Sequence, residues 1–411
     1  MNPSTATATA AADLRAFARD LGFVAVGIAR AEPLPDDRRL MQERIAAGVF
    51  EGLPWFTVER AARATDPQRS LPGARSIISL AAPYRGTIAM DAADLGPTPR
   101  GRIARYAWGR DYHRVLEKKL RAVCRWLDER LPGTRSRPMV DHGPLAERAY
   151  AARAGIGWTG KSTNLLAPGV GSWTLLGEAL TTAILEPDPP LRKSCGACAR
   201  CIAGCPTGAI DAPYSLDNRR CLSFQTIEQR GAIPRELRPL LGDWLFGCDI
   251  CQDVCPVPAA HTAQPMPEFG VADVEAAAPA LLPLLDLDEE RFRLRFAGRA
   301  VLRAKRDGLL RNACVVLGNI AGDEAIPALA GALRDPAALV RGHAAWALGR
   351  IGGRAARAAL TAARAREDDP ATAAEIDHAL DDPGRGGGAY HPAALAAWLT
   401  GRRVGSPAVG G

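Results

Sequence analysis

The chain has 411 residues, 47% of them hydrophobic and 24% charged, which is ordinary for a globular protein and excludes wholesale disorder. No apolar run approaches the roughly 20 residues needed to cross a bilayer, and the first residues lack the compact apolar core of an export signal, so a cytoplasmic chain with no membrane partner is expected. The formal net charge of +7 makes a polyanionic partner worth weighing, although an Arg- and Ala-rich composition raises charge without one.

Residues 11–21 (AADLRAFARDL) read as an amphipathic helix. Apolar, β-type runs at 23–28, 76–82, 173–176 and 180–185 then alternate with helical stretches at 113–130 and 145–154, as in an α/β or α+β domain. The Pro-rich LEPDPPL at 185–191 marks a boundary. A cysteine-rich segment runs from there to about Pro258, with a helical interruption over 224–245, and residues 259–290 read as a linker or cap. Beyond about 300 the pattern repeats: 311–333 realigns on 341–361 at a 30-residue offset, each as helix, Gly-containing turn, helix. That is the signature of a HEAT-like solenoid. The tail from Gly384 is Gly-rich and reads as weakly structured.

The cysteines carry the clearest chemistry. Cys195, Cys198, Cys201 and Cys205 form C-x2-C-x2-C-x3-C-P, the bacterial ferredoxin run, whose fourth cysteine ligates the other cluster of a pair. Cys221, Cys248, Cys251 and Cys255 supply the complementary run, its first cysteine displaced upstream by an insertion. The crossing rule assigns one [4Fe–4S] cluster to Cys195, Cys198, Cys201 and Cys255, and the second to Cys205, Cys221, Cys248 and Cys251. A pair of zinc sites also accommodates repeated CxxC but leaves the crossing fourth ligands unexplained. Cys124 and Cys314 lie within helical patterns and read as core. Two clusters make an electron relay, and a relay in a chain this long should feed a catalytic domain, here residues 1–185.

Other motifs weigh less. GIGWTGKS at 155–162 matches a P-loop formally, but a helix precedes it and Pro and Gly follow, the reverse of the strand–loop–helix that phosphate binding requires. His113 and His343 read as structural or solvent-facing rather than as ligands. Asp141 follows a short apolar run and precedes a Gly-Pro turn and a helix; on periodicity alone, a capping or turn role is favoured over that of a general acid.

The segments IARYAWGRDYH (103–113), VDHGPLAERAYAARAGIGWTGKSTNLL (140–166) and GSWTLLGE (171–178), together with the two cysteine runs and the HEAT-like end, resemble the epoxyqueuosine reductase family over residues 10–380 or so, with a more distant likeness to reductive dehalogenases. The resemblance implies an α+β chain. Its expected order is an N-terminal α/β cobalamin-binding catalytic domain (1–185), a ferredoxin-like two-[4Fe–4S] domain (186–265), HEAT-like α-helical repeats (266–383) and a tail (384–411). It further implies reduction of epoxyqueuosine to queuosine at the wobble position of a tRNA anticodon, with electrons from an external donor passing through two clusters to cobalamin. The chain is expected to act as a monomer.

By the same resemblance Asp141 of the DHGP segment becomes the proton donor, which reverses the capping preference; burial beside an apolar macrocycle would raise its pKa. Tyr106, Asp141, Lys161, Trp173, Ser223 and Asp249 become candidate cobalamin contacts because they lie in or near the family-like segments. No D-x-H-x-x-G motif is present, and the family binds cobalamin without one.

The basic stretch 291–311, whose only acidic residue is Asp307, is ordinarily a solvated helix face. Beside a helical repeat and an RNA substrate, phosphate contact by Arg303, Lys305 and Arg306 is the better expectation, with Arg230 facing the anticodon. Two rival readings stand beside this one: a reductive dehalogenase-like enzyme acting on a small molecule, and an iron–sulfur electron carrier whose repeats dock a partner.

Overall fold

The computed structural model describes residues 3–141, 143–257, 263–271, 273–382, 384 and 388–401. The chain divides into two compact units, and each gathers non-consecutive segments. The first unit comprises 1–86, 110–219 and 250–270; the second comprises 87–109, 220–249 and 271–411. These units cut across the sequential order expected from the sequence. Among the described residues no helix is long and apolar enough to cross a membrane.

In the first unit four strands form one sheet in the order Ala25–Arg30, Ser76–Pro83, Thr174–Thr181, Ser136–Met139. Every neighbouring pair is antiparallel. The expectation of an α/β N-terminal domain is therefore corrected to α+β, because a parallel α/β sheet needs crossover helices between parallel neighbours and none are present in this sheet. The two runs at 173–176 and 180–185 are one strand, Thr174–Thr181, whose interior is buried.

The sheet is covered on both faces. On one side lies the helix Tyr112–Arg130, which buries Leu116, Leu120, Val123, Cys124 and Leu127 at helical spacing. Gly177 lets that helix close on the sheet, since a Cβ there would stand 2.8 Å from Leu120. The helix Pro3–Asp20 packs beside it, with Phe17 stacked on Trp126 at 5.8 Å between ring centres. On the opposite face lies the shorter helix Glu147–Arg153. Beneath it, Gly27, Ser79, Glu178 and Met139 stand in one row across all four strands. A Cβ at Gly27 would overlap the carbonyl oxygen of Ala154, so only glycine fits at that end of the row.

The segment 155–166 forms a small hairpin, Trp158–Thr159 against Leu165–Leu166, and no helix follows it. The P-loop match is thus excluded by geometry: Gly157 serves the close approach to the Leu166 carbonyl, not a phosphate.

The second unit is built around the helix Lys305–Ile320, which is buried over most of its surface. Helices Ile326–Ala332, Ala338–Ile351, Gly353–Arg364 and Pro370–Asp381 continue the repeat. Small residues set the stacking distance: Gly318 lies against Trp346 and Ala347, and Gly349 against Ala379. The expected helix over 224–245 is short, Leu222–Ile227, and is followed by a strand, Trp244–Phe246, that pairs in parallel with Arg102–Ile103. Asn312 bonds the carbonyls of Thr226 and Leu245, and Arg311 those of Gln225, Gln229 and Gly231, which ties this segment to the first repeat helix.

Two further expectations are refined. Of the linker and cap readings for 259–290, packing favours a cap, since Met266, Phe269, Ala277, Leu281 and Leu284 are buried. The tail contains a helix, Pro392–Leu399, whose Trp398 is wedged edge-on against Trp108 and Trp244, each at 5.4 Å. An aromatic anchor of that size outweighs the Gly-rich stretch before it.

Candidate active site and cluster-binding cysteines

Asp141 lies just past the end of the edge strand Ser136–Met139, where the chain turns toward the helix Glu147–Arg153. Its partners come from the start of the helix Tyr112–Arg130, the GRDYH segment. The Tyr112 hydroxyl donates to Asp141 Oδ2 at 2.5 Å, and His113 Nε2 reaches the same oxygen at 3.2 Å. The two rings stack with centres 4.0 Å apart, so one helix turn presents both groups together.

Asp111 sets this arrangement up. Its Oδ1 caps the helix by accepting the His113 backbone N–H, and it also holds His113 Nδ1 at 2.8 Å. Burial works against the charged imidazole, but hydrogen bonds and charge from Asp111 and Asp141 outweigh it and hold His113 up at about 9. Asp111 is pushed below its ordinary value, because the His113 bonds overcome the opposing effect of burial. His113, read from the sequence as structural or solvent-facing rather than as a ligand, is therefore a cation at neutral pH facing Asp141. His343, by contrast, is structural as expected. It is buried, held down at about 3 by that burial, and accepts the Ile233 N–H.

Asp141 itself is 46% exposed. The burial expected to tune it is absent from the protein's own surroundings, and its neighbours are polar hydrogen-bond donors. Behind it stand two carboxyls the sequence reading passed over. Burial, followed by the Asp141 charge, raises the pKa of Glu147. Glu178 is 0% exposed, and neither of its oxygens meets a protein partner. Burial, then the charge of Glu147, raises Glu178 well above the ordinary range.

The remaining site candidates separate by what they touch. Lys161 Nζ donates to the Gly196 carbonyl at 2.7 Å, bracing the loop after Cys195. Asp249 is 1% exposed; it takes the Arg105 backbone N–H and pairs with the Arg105 guanidinium at 3.3 Å. Asp249 is thus engaged within the protein interior, whereas Lys161 is half-buried and its bond lies at the surface. Trp173 is buried against the edge of Tyr84, with the Arg85 guanidinium 5.2 Å from its ring centre. Tyr106 is half-buried beside Phe246, and Ser223 is half-buried at the start of the helix Leu222–Ile227.

Of the basic residues, Arg306 is corrected outright. Its guanidinium forms a two-pronged pair with buried Asp335, bonds Asp307 and donates to the Leu287 carbonyl, so it is a strut of the repeat rather than a phosphate contact. Arg303 pairs with Glu228 at 2.5 Å, and Arg230 donates to the Arg303 and Ala304 carbonyls. Arg230 and Lys305 are exposed.

Cys195, Cys198, Cys201 and Cys255 all belong to the first unit. Burial raises the Cys201 thiol, and Cys195 and Cys255 raise it further by their charge, so the fourth ligand of the crossing scheme lies near the first run. That donor set fits a thiolate-bound cluster. Cys205 and Cys251 are also in the first unit, where Asn164 Nδ2 approaches Cys251 Sγ at 3.8 Å; Cys221 and Cys248 belong to the second. Among the described residues no three His, Cys, Asp or Glu side chains close around a single ion, so the support for clusters comes from spacing and from the neighbours of Cys201. Cys124 and Cys314 are buried core residues as expected, and burial pushes the Cys124 thiol up to about 12.

Comparison with known proteins agrees with this layout. Residues 64–142 match a family model described as "Epoxyqueuosine reductase QueG, DUF1730". Residues 194–258 match a 4Fe-4S double cluster binding domain, and 299–381 match HEAT repeats. The epoxyqueuosine reductase of Bacillus cereus is 35% identical over 370 residues, which cover 90% of this chain and 96% of that one. A crystal structure of epoxyqueuosine reductase with an epoxyqueuosine-modified tRNA-Tyr stem loop superposes with a TM-score of 0.83 at 32% identity, covering 92% of this chain and 99% of the other. A Bacillus subtilis structure, in which the catalytic aspartate loop is swung out of the active site, reaches 0.83 at 31% identity, covering 91% and 99%. Near-complete coverage of these relatives, at this identity, places the chain in the epoxyqueuosine reductase family.

Proposed function

We propose that this oxidoreductase reduces the epoxide of epoxyqueuosine in a tRNA anticodon loop to the alkene of queuosine, with Asp141 as the proton donor. The observation that carries the reading is the Asp141–Tyr112–His113 constellation in a chain whose relatives include an epoxyqueuosine reductase crystallised with its modified stem loop. Removing an epoxide oxygen as water takes two electrons and two protons. The cysteine sets given above would hold two [4Fe–4S] clusters, which would supply one-electron transfer from an external donor.

The protein's own part is to hold and deliver protons. Tyr112 and His113 both bind Asp141 Oδ2, which orients the carboxyl and directs Oδ1 toward the departing oxygen. The His113 cation also offsets the negative charge that builds up as that oxygen leaves. Cobalamin belongs to the proposal, with Tyr106, Trp173 and Ser223 as its candidate contacts; the buried Ser172 Oγ and Trp158 Nε1 lack protein partners and are polar groups such a cofactor could meet. When bound, it supplies a two-electron reductant from one-electron input. The RNA is proposed to meet Arg230, Arg303 and Lys305, which remain at the surface of the second unit or near it.

The test is turnover of an epoxyqueuosine-containing stem loop by reconstituted enzyme, followed by nucleoside analysis. Asp141→Asn should abolish queuosine formation while iron content and RNA affinity stay at wild-type levels. Normal turnover by that variant would remove the role of Asp141, and no turnover by the wild type would remove the substrate.

A further inference from the structure

Glu178 is the most anomalous side chain in the first unit. It sits in the middle of a sheet strand, in the row Gly27–Ser79–Glu178–Met139, beneath the helix Glu147–Arg153. It is fully buried, and among the described residues no donor reaches either oxygen. Ser79, directly opposite on the neighbouring strand, is equally buried, and its hydroxyl is also unpaired. An ionised carboxylate is strongly disfavoured in such a place, so the group holds its proton instead. Its charge-bearing neighbour is Glu147 on the overlying helix, one of whose oxygens is likewise unpaired.

Glu147 is the first residue of the helix that follows Asp141 in the chain, and it feels the charges of Asp141, Arg148 and His113. A line of carboxyls therefore runs from the buried sheet face, through the first residue of the helix, to the exposed acid. A stability role alone would be better served by an apolar residue at 178, whose strand neighbours Leu176 and Leu180 are ordinary core.

We propose that Glu178 and Glu147 form a proton store that re-supplies Asp141 during turnover. The inference rests on the reductase reading above. Reduction of one epoxide by two electrons consumes two protons: one C–O bond breaks with protonation of the oxygen, and the second breaks with release of water. Asp141 carries one proton at a time. The second comes from Glu147, which is recharged from Glu178 and finally from solvent. Both carboxyls are shifted in the direction that keeps a proton in place, by burial first and then by the neighbouring acid's charge.

Glu178→Gln and Glu147→Gln test this in the cluster- and cobalamin-loaded enzyme. Both substitutions keep the side chain's shape, so a purely structural role predicts little change. The proton store predicts a drop in kcat of roughly 10²-fold, in line with general-acid contributions, with KM for the stem loop unchanged and the double variant no slower than either single one. The pH profile of kcat should lose its high-pH limb in both variants.

A second readout needs no turnover. Infrared difference spectra of the wild type between neutral and alkaline pH should show a protonated-carboxyl band that Glu178→Gln removes. Wild-type rates and pH profiles in both variants would overturn the proposal, as would absence of that band. A wild type inactive on the RNA would instead sink the reductase reading, and the infrared arm would then still decide whether the pair stores a proton.

Discussion

Replacing His113 by Gln should remove a pH-dependent part of the first unit's stability. The gap between an ordinary histidine near 6.5 and about 9 here corresponds to about 3 kcal/mol, at about 1.4 kcal/mol per pH unit. His113 is 20% exposed, so little of this is lost to solvent screening. Asp141, at 46% exposed, contributes a screened pair, and Asp111 carries the larger share. Because folding raises the proton affinity of this group, the contribution is complete below about pH 6.5 and disappears as pH rises through about 9. The lowered pKa of Asp111 is the same contact seen from the acid side, lost as pH falls through the folded Asp111 value, and is not counted twice.

Two measurements check it. Ring-proton NMR of the folded protein should place the titration of His113 near 9, and Asp111→Asn should lower it more than Asp141→Asn does. Denaturation of wild type and His113→Gln at intervals from about pH 6 to 10 should show the wild type losing its advantage over that window. Titration of His113 near 6.5, or parallel stability curves, would refute the reasoning.

Three shorter expectations follow from the packing and the cysteines. Gly27→Ala forces a methyl into the Ala154 carbonyl and should cost roughly 1–3 kcal/mol or more by overpacking, which a fall in Tm would report. Arg306→Met leaves Asp335 buried and unpaired and should cost roughly 3–5 kcal/mol, with RNA affinity per folded molecule unchanged; weakened binding at unchanged stability would return Arg306 to the RNA face. Cys255→Ser should lose one cluster, about four of eight irons per chain by elemental analysis, whereas loss of all iron or of none would contradict the crossing assignment.

The double-cluster segment was legible from spacing, because a ferredoxin run is local and its cysteines are separated by only a few residues of loop, and the match over residues 194–258 falls on the same segment. The repeat helices were legible from self-similarity at a 30-residue offset, since each hairpin packs chiefly on its neighbours. Asp141 was visible by resemblance, and GRDYH stood in the same set of segments. That Tyr112 and His113 bond Asp141 was not readable, since the two segments are separated by a whole helix and an edge strand.

The sequence by itself determined the chemistry available: thiolates for two clusters, a helical repeat, and an acid beside a Gly-Pro turn. Tertiary structure decided which charges are spent and which are offered. Arg306 and Asp249 look alike in sequence to exposed functional groups, yet each is buried against a partner distant in the chain. Glu178 looks like a polar break in an apolar run, and only the antiparallel register places it under the helix Glu147–Arg153 with no protein donor in reach. The physical reason is the same in each case. Hydrogen-bond satisfaction and burial depend on which segments meet, and side-chain type alone carries no information about that.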